Sequence, residues 1–144
     1  MPMPTLRIAA ALLCALPALL QAAPAPEFRL DAAHRQAAVT LTAEPGTAPS
    51  ALKLAVSFER IDLRGAARGY VRLIALCPDG GEAWRGTISP YPAVKPGRFL
   101  HSLLATGSAA AQCTPDRLLL ELVVPKEEEW ATAPSIEGTV DIEH

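Results

Sequence analysis

The tightest constraint on this fold is a period-two alternation of apolar and polar residues, repeated in short runs along most of the chain. Val39 and Leu41 alternate with Thr40 and Thr42. Leu52, Leu54, Val56 and Phe58 alternate with Lys53, Ala55, Ser57 and Glu59. Val71, Leu73, Ala75 and Cys77 form one face of a third run, with Tyr70, Arg72, Ile74 and Leu76 on the other. Trp84, Gly86 and Ile88 alternate with Arg85, Thr87 and Ser89, whereas Phe99 to Ala105 is apolar but irregular. Leu118, Leu120, Leu122 and Val124 make a clean stripe. Ile136, Val140 and Ile142 alternate with Glu137, Thr139, Asp141 and Glu143. Successive side chains of a strand point to opposite faces, so each run predicts a strand with one face in a core and one in water.

The breaks between runs agree. Pro45-Gly46, Pro49, Pro78-Asp79-Gly80-Gly81, Pro96-Gly97, Pro115-Asp116, Pro125 and Pro134 all fall between them. Two strand patterns flank Pro78–Gly81, where Pro sets a negative φ and Gly supplies a positive one, so residues 69–77 and 82–89 read as a hairpin. The apolar phase slips after Phe58, because Ile61 and Leu63 are apolar where even positions were apolar before. A bulge or strand end at Glu59-Arg60 accounts for the slip. About seven strands and only short helical candidates (Thr106–Gln112 and Pro125–Trp130) predict an all-β fold over residues 27–144: a single antiparallel β-sandwich. Immunoglobulin-like topology is one solution, although the usual Cys-Trp-Cys order is missing, and a small β-barrel is the alternative.

The N-terminus has the layout of a secretory signal peptide. Arg7 precedes the apolar run Ile8–Leu20, and the small residues Ala22 and Ala23 follow. The run contains Pro17 and is shorter than the roughly 20 apolar residues a membrane helix needs. Cys14 follows Leu12-Leu13 rather than the small residue that a lipoprotein signal carries before its Cys. Pro24 and Pro26 disfavour later cuts, so cleavage is expected between Ala22 and Ala23. Residues 1–22 are then the leader and 23–26 a short Pro/Ala tether. The expected location is periplasmic or extracellular, with no membrane span in the mature chain. Loss of Cys14 leaves Cys77 and Cys113, an even pair that reads as a disulfide in an oxidising compartment. The chain has no Asn, hence no Asn-linked glycosylation site.

No catalytic constellation emerges, and the expectation is a non-enzyme without cofactor or metal. His34, His101 and His144 lack ligand spacing. No Gly-x-Ser-x-Gly, P-loop or Gly-x-Gly-x-x-Gly occurs, and Ser108 lies in an Ala-rich stretch. Glu127-Glu128-Glu129 reads as a solvated turn. With 13 basic and 15 acidic residues, the chain is a poor general nucleic-acid binder.

Two features are candidates for binding. Tyr91, between Pro90 and Pro92, sits in a loop that the prolines would hold extended, and Tyr is enriched at interface hot spots. The simpler reading makes Tyr91 a lid over the sandwich end. The second feature is charge segregation: basic residues dominate 53–98, and acidic ones dominate 116–143. Arg60, Arg64, Arg68 and Arg72 are therefore candidates for a partner-binding patch. The simpler reading pairs the two segments across neighbouring strands. The expected function is an exported interaction module that binds a protein partner or stabilises an envelope assembly. The alternatives are a structural subunit of a surface fibre or secretion apparatus, and a small-ligand or metal carrier using His34 and His101 or a pocket between the sheets.

Overall fold

A computed structural model describes residues 27–42, 52–66, 68–90, 95–105 and 113–143. They form eight strands: β1 (Glu27–Asp31), β2 (Gln36–Thr40), β3 (Leu52–Asp62), β4 (Tyr70–Leu76), β5 (Glu82–Ile88), β6 (Gly97–Ala105), β7 (Arg117–Val123) and β8 (Ser135–Ile142). Short 3-10 turns occupy Arg64–Ala66 and Glu127–Thr132. The leader, the tether, Tyr91 and Thr106–Gln112 lie outside the described residues.

All pairings are antiparallel, in the order β1-β8-β3-β6-β5-β4-β7-β2. The sheet folds on itself into two halves, β1-β8-β3-β6 and β5-β4-β7-β2, and so lies between a sandwich and a nearly closed barrel. Strand β6 makes the corner: Gly97–Leu103 pair with β3, and Leu104 and Ala105 pair with β5. The outermost strands, β1 and β2, follow each other in sequence. In the link between them, the Asp31 carboxylate accepts hydrogen bonds from the Ala33 and His34 amides, and the Asp31 amide donates to the His34 carbonyl. These backbone donors, above all the His34 amide, hold the Asp31 carboxyl below its ordinary value.

The extra strand relative to the seven expected is β1. Its five residues carry just two inward apolar side chains, Phe28 and Leu30, too short a pattern to stand out in sequence. The phase slip after Phe58 is a bulge: β3 pairs with β8 through Phe58↔Gly138 and then Arg60↔Glu137, leaving Glu59 unopposed. The slip turns Leu63 into the core and leaves Ile61 packed at its margin. The expected hairpin joins β4 to β5.

The core lies between the inner faces of the two halves. Leu30, Leu54, Val56, Phe58, Leu103 and Ile136 of the first meet Val71, Leu73, Trp84, Leu118, Leu120 and Leu122 of the second, all at most 2% exposed. Among the described residues no polar or charged residue is buried, but the buried Trp84 indole N–H has no hydrogen-bond partner and offsets part of what burying that ring contributes. Phe28 meets Phe58 edge-on at 6.2 Å, and Phe58 meets Phe99 at 5.2 Å.

Cys77 and Cys113 are bonded, with Cα atoms 5.8 Å apart. The bridge ties the exit of β4 to the approach of β7, which are neighbours within one half. It therefore differs from an immunoglobulin bridge, which crosses between sheets. Beside it the Asp116 amide donates to the Leu76 carbonyl, continuing the β4–β7 ladder past Leu76↔Arg117. No described helix is long and apolar enough to cross a membrane.

Candidate functional site

The four candidate arginines do not converge. Arg60 is on the outer face of β3, 3.9 Å from Glu137 of the neighbouring β8. Arg64 opens the first 3-10 turn at φ 44° and contacts Asp62 at 3.0 Å. Arg68 is exposed in the connection to β4. Arg72 is on β4, in the other half of the sheet, and donates to Glu121 of β7 at 2.9 Å. Arg60 and Arg72 thus sit on outer faces of opposite halves. Arg60 and Arg72 each meet an acidic residue of the neighbouring strand, Glu137 of β8 and Glu121 of β7, whereas Arg64 pairs with Asp62 of its own segment.

Histidines do not assemble either. His34 is in the β1–β2 link, 3.4 Å from the Asp31 carboxylate. His101 is half-buried on β6, at the opposite margin of the same half. No group of three or more His, Cys, Asp or Glu side chains able to hold a metal occurs among the described residues.

The feature that sequence reading missed is β6 itself. Its alternation sends Phe99 and Leu103 to the core, with His101 on the same side. Leu100 and Leu104 point outward, 66% and 73% exposed, the exposed large hydrophobics of the described surface. Beside them is a shallow cleft of about 280 Å³ lined by Lys53, Leu54, Leu100, His101, Ser102 and Glu143.

Among the described residues, one edge of β6 is also unpaired over much of its length. On one side, Gly97 to Leu103 pair with Phe58 to Leu52 of β3. On the other, β6 meets β5 only through Arg85↔Leu104 and Trp84↔Ala105. Beyond Arg85 the ladder ends, although Gly86 of β5 still lies close to side chains of β6. A Cβ on Gly86 would lie 2.5 Å from His101 Nε2 and 2.6 Å from Leu103 Cδ2, so this glycine leaves space for both side chains. From Gly97 to Leu103, one row of β6 backbone groups has no strand partner among the described residues.

Unpaired edges in soluble proteins are usually blunted by charge, Pro or brevity. Strand β1 has only five residues and carries Glu27, Arg29 and Asp31. Strand β2 also has only five. Strand β6 has nine, with neither charge nor Pro from Phe99 to Ala105. Arg98, at its start, is engaged with Glu143. The expected Tyr91 loop falls in the connection between β5 and β6, outside the described residues except at its ends, where Pro90 is buried and Lys95 and Pro96 are exposed.

No protein-family model, curated protein or solved structure matches this chain.

Proposed function

We propose that this chain is an exported, non-enzymatic interaction module whose partner-binding element is β6. The observation behind this reading is the coincidence on one strand of an unpaired edge at Gly97–Leu103 with exposed Leu100 and Leu104. An open edge offers main-chain hydrogen bonds for affinity, and its flanking side chains supply selectivity. The apolar side chains gain by leaving water, at about 25 cal/mol per Å² buried. The partner is a protein segment able to lie extended, whose own backbone donors and acceptors match the spacing of a strand edge and replace water there. Export supplies the setting: the leader is cut between Ala22 and Ala23, and the Cys77–Cys113 bridge persists outside the cytoplasm.

A photo-crosslinking residue at position 100 or 104, introduced into the protein in its native envelope, tests this reading. Thr87, exposed on the outer side of β5, is the control position. Crosslinks are expected from 100 and 104 and not from 87. Their yield should hold from about 0.05 to about 0.5 M salt, a range over which exposed charge pairs are progressively screened. A complex that dissolves with salt would return the binding role to the arginines; equal yields at 87 and 100 would remove it from β6.

A further inference from the structure

We infer that the partner strand on β6 is β6 of a second copy, paired antiparallel about a two-fold axis at Leu100. This rests on the reading of β6 as the binding element and names its occupant. Three observations carry it.

The first is the extent of the free edge. Among the described residues Gly97–Leu103 lack a second strand partner, and since Leu103 is buried with Gly86 of β5 close to its side chain, the stretch that can take a new strand is Arg98–Ser102, just inside those ends. Leu100 is the midpoint of that segment and is itself 66% exposed. An antiparallel pair of identical strands is isologous and closes after two copies. With its axis at the midpoint, Arg98–Ser102 of the two copies pair in full, and the Leu103–Ala105 end beside β5 stays out of the contact.

The second is what faces what. In this register Leu100 faces its own copy, Arg98 faces Ser102 and Phe99 faces His101. No like charges stand opposite each other, an arrangement that would destabilise a strand pair. The charge on Arg98 is already met by Glu143 of its own chain.

The third is the surface around the axis. Leu104 extends the apolar strip, while Lys53, Ser102 and Glu143 border it with both signs of charge. A self-facing patch needs this balance, since a single sign would repel its copy. The other outer strands lack the combination: β1 is charged along its exposed positions, and β2 has only five residues.

The contact is one strand pair rather than a broad face. It belongs with weak, reversible interfaces, so association is sought at high protein concentration.

Sedimentation velocity on the exported protein, from roughly 5 to roughly 500 µM, tests the inference. The wild type is expected to pass reversibly from monomer to dimer. Leu100→Lys and Leu100→Glu each place two like charges on the axis, and each variant alone is expected to stay monomeric. An equal mixture should recover the dimer, at least about tenfold tighter than either variant alone. Position 100 is exposed, so both variants should keep the wild-type melting curve, and melting is measured alongside. If the mixture does not dimerise while the wild type does, the axis is not at Leu100 and the inference falls. A wild type that is monomeric throughout also overturns it. In that case a position-100 crosslink to a different protein in the envelope preserves the reading of β6 as a binding element, and its absence removes both.

Discussion

Individual residues show their roles most clearly where the backbone is crowded. Gly138 stands between Phe28 of β1 and Phe58 of β3, beside the bulge at Glu59. A Cβ there would run into the Ser57 carbonyl oxygen and lie 3.0 Å from Phe28 Cζ. The obstacle is backbone in a central strand pair, so it cannot rotate away. Gly138→Ala is expected to lower stability by about 1–3 kcal/mol, the usual range for overpacking, read as a lower urea midpoint with an unchanged slope. Gly97→Ala is the contrast. Its added methyl would meet only Phe99 Cε2, at 4.0 Å. That change should be neutral or stabilise by a few tenths of a kcal/mol, through a less flexible unfolded chain. Equal losses at the two positions would mean that the close approach at Gly138 is relieved elsewhere. The sequence had no marker separating these glycines, because crowding depends on what pairs alongside.

At the scale of elements, the 3-10 turn Glu127–Thr132 is fastened to the start of β2. Two guanidinium nitrogens of Arg35 donate to the Glu127 carboxylate, at 2.8 and 3.3 Å. The same guanidinium lies 4.1 Å from the Trp130 ring centre. The Arg35 hydrogen bond is the largest influence on Glu127 and holds its carboxyl below the ordinary 4.5. A lowered carboxyl pKa in the folded state stabilises above the unfolded value and loses that effect as pH falls through the folded one. Arg35→Met should therefore return the Glu127 carboxyl to about its ordinary value, read by carboxyl carbon NMR. It should also remove this pair's share of the acid-side loss of stability, and an unshifted Glu127 titration would show that Arg35 is not its partner in solution. Other elements could be read from sequence with uneven success. The β4–β5 hairpin and the bulge were legible because Pro-Asp-Gly-Gly and a phase slip are local signals. The arginines were visible as a group, but their destination depended on which strand lies beside which. Arg72 meets Glu121 across 49 residues of chain, a pairing set by β4–β7 register. Strand β6 was hardest, since apolar residues on both faces look like a central strand. The exposure of Leu100 and Leu104 shows which face meets solvent, and the end of the β5 ladder shows that the edge is unpaired among the described residues.

For the whole molecule, the disulfide and the incomplete seam act on the same region. Cys77 and Cys113 are separated by 36 residues, and that interval contains β5 and β6. Chain-entropy arithmetic for a loop of this length gives about 4 kcal/mol of destabilisation of the unfolded state, less any strain in the folded one. Domains of this size are stable by about 5–15 kcal/mol, so a Cys77→Ala/Cys113→Ala variant should still fold at low temperature but melt well below the wild type. The loss should not be uniform in its consequences. Strands β3 and β8 share a long ladder, and so do β4 and β7. Strands β5 and β6 share only two residue pairs, and the bridge closes the loop that holds them. With the bridge removed, amide hydrogen exchange should rise first at the β5–β6 seam, Trp84–Arg85 and Leu104–Ala105, with the β3-paired part of β6 next and β4 and β7 following only at global unfolding. Exchange that rises equally in all strands would mean that the bridge stabilises solely through the unfolded chain. A selective rise would mean that the bridge also keeps β6 seated, and hence that the strand proposed for pairing is held in place by a covalent link stable only outside a reducing compartment.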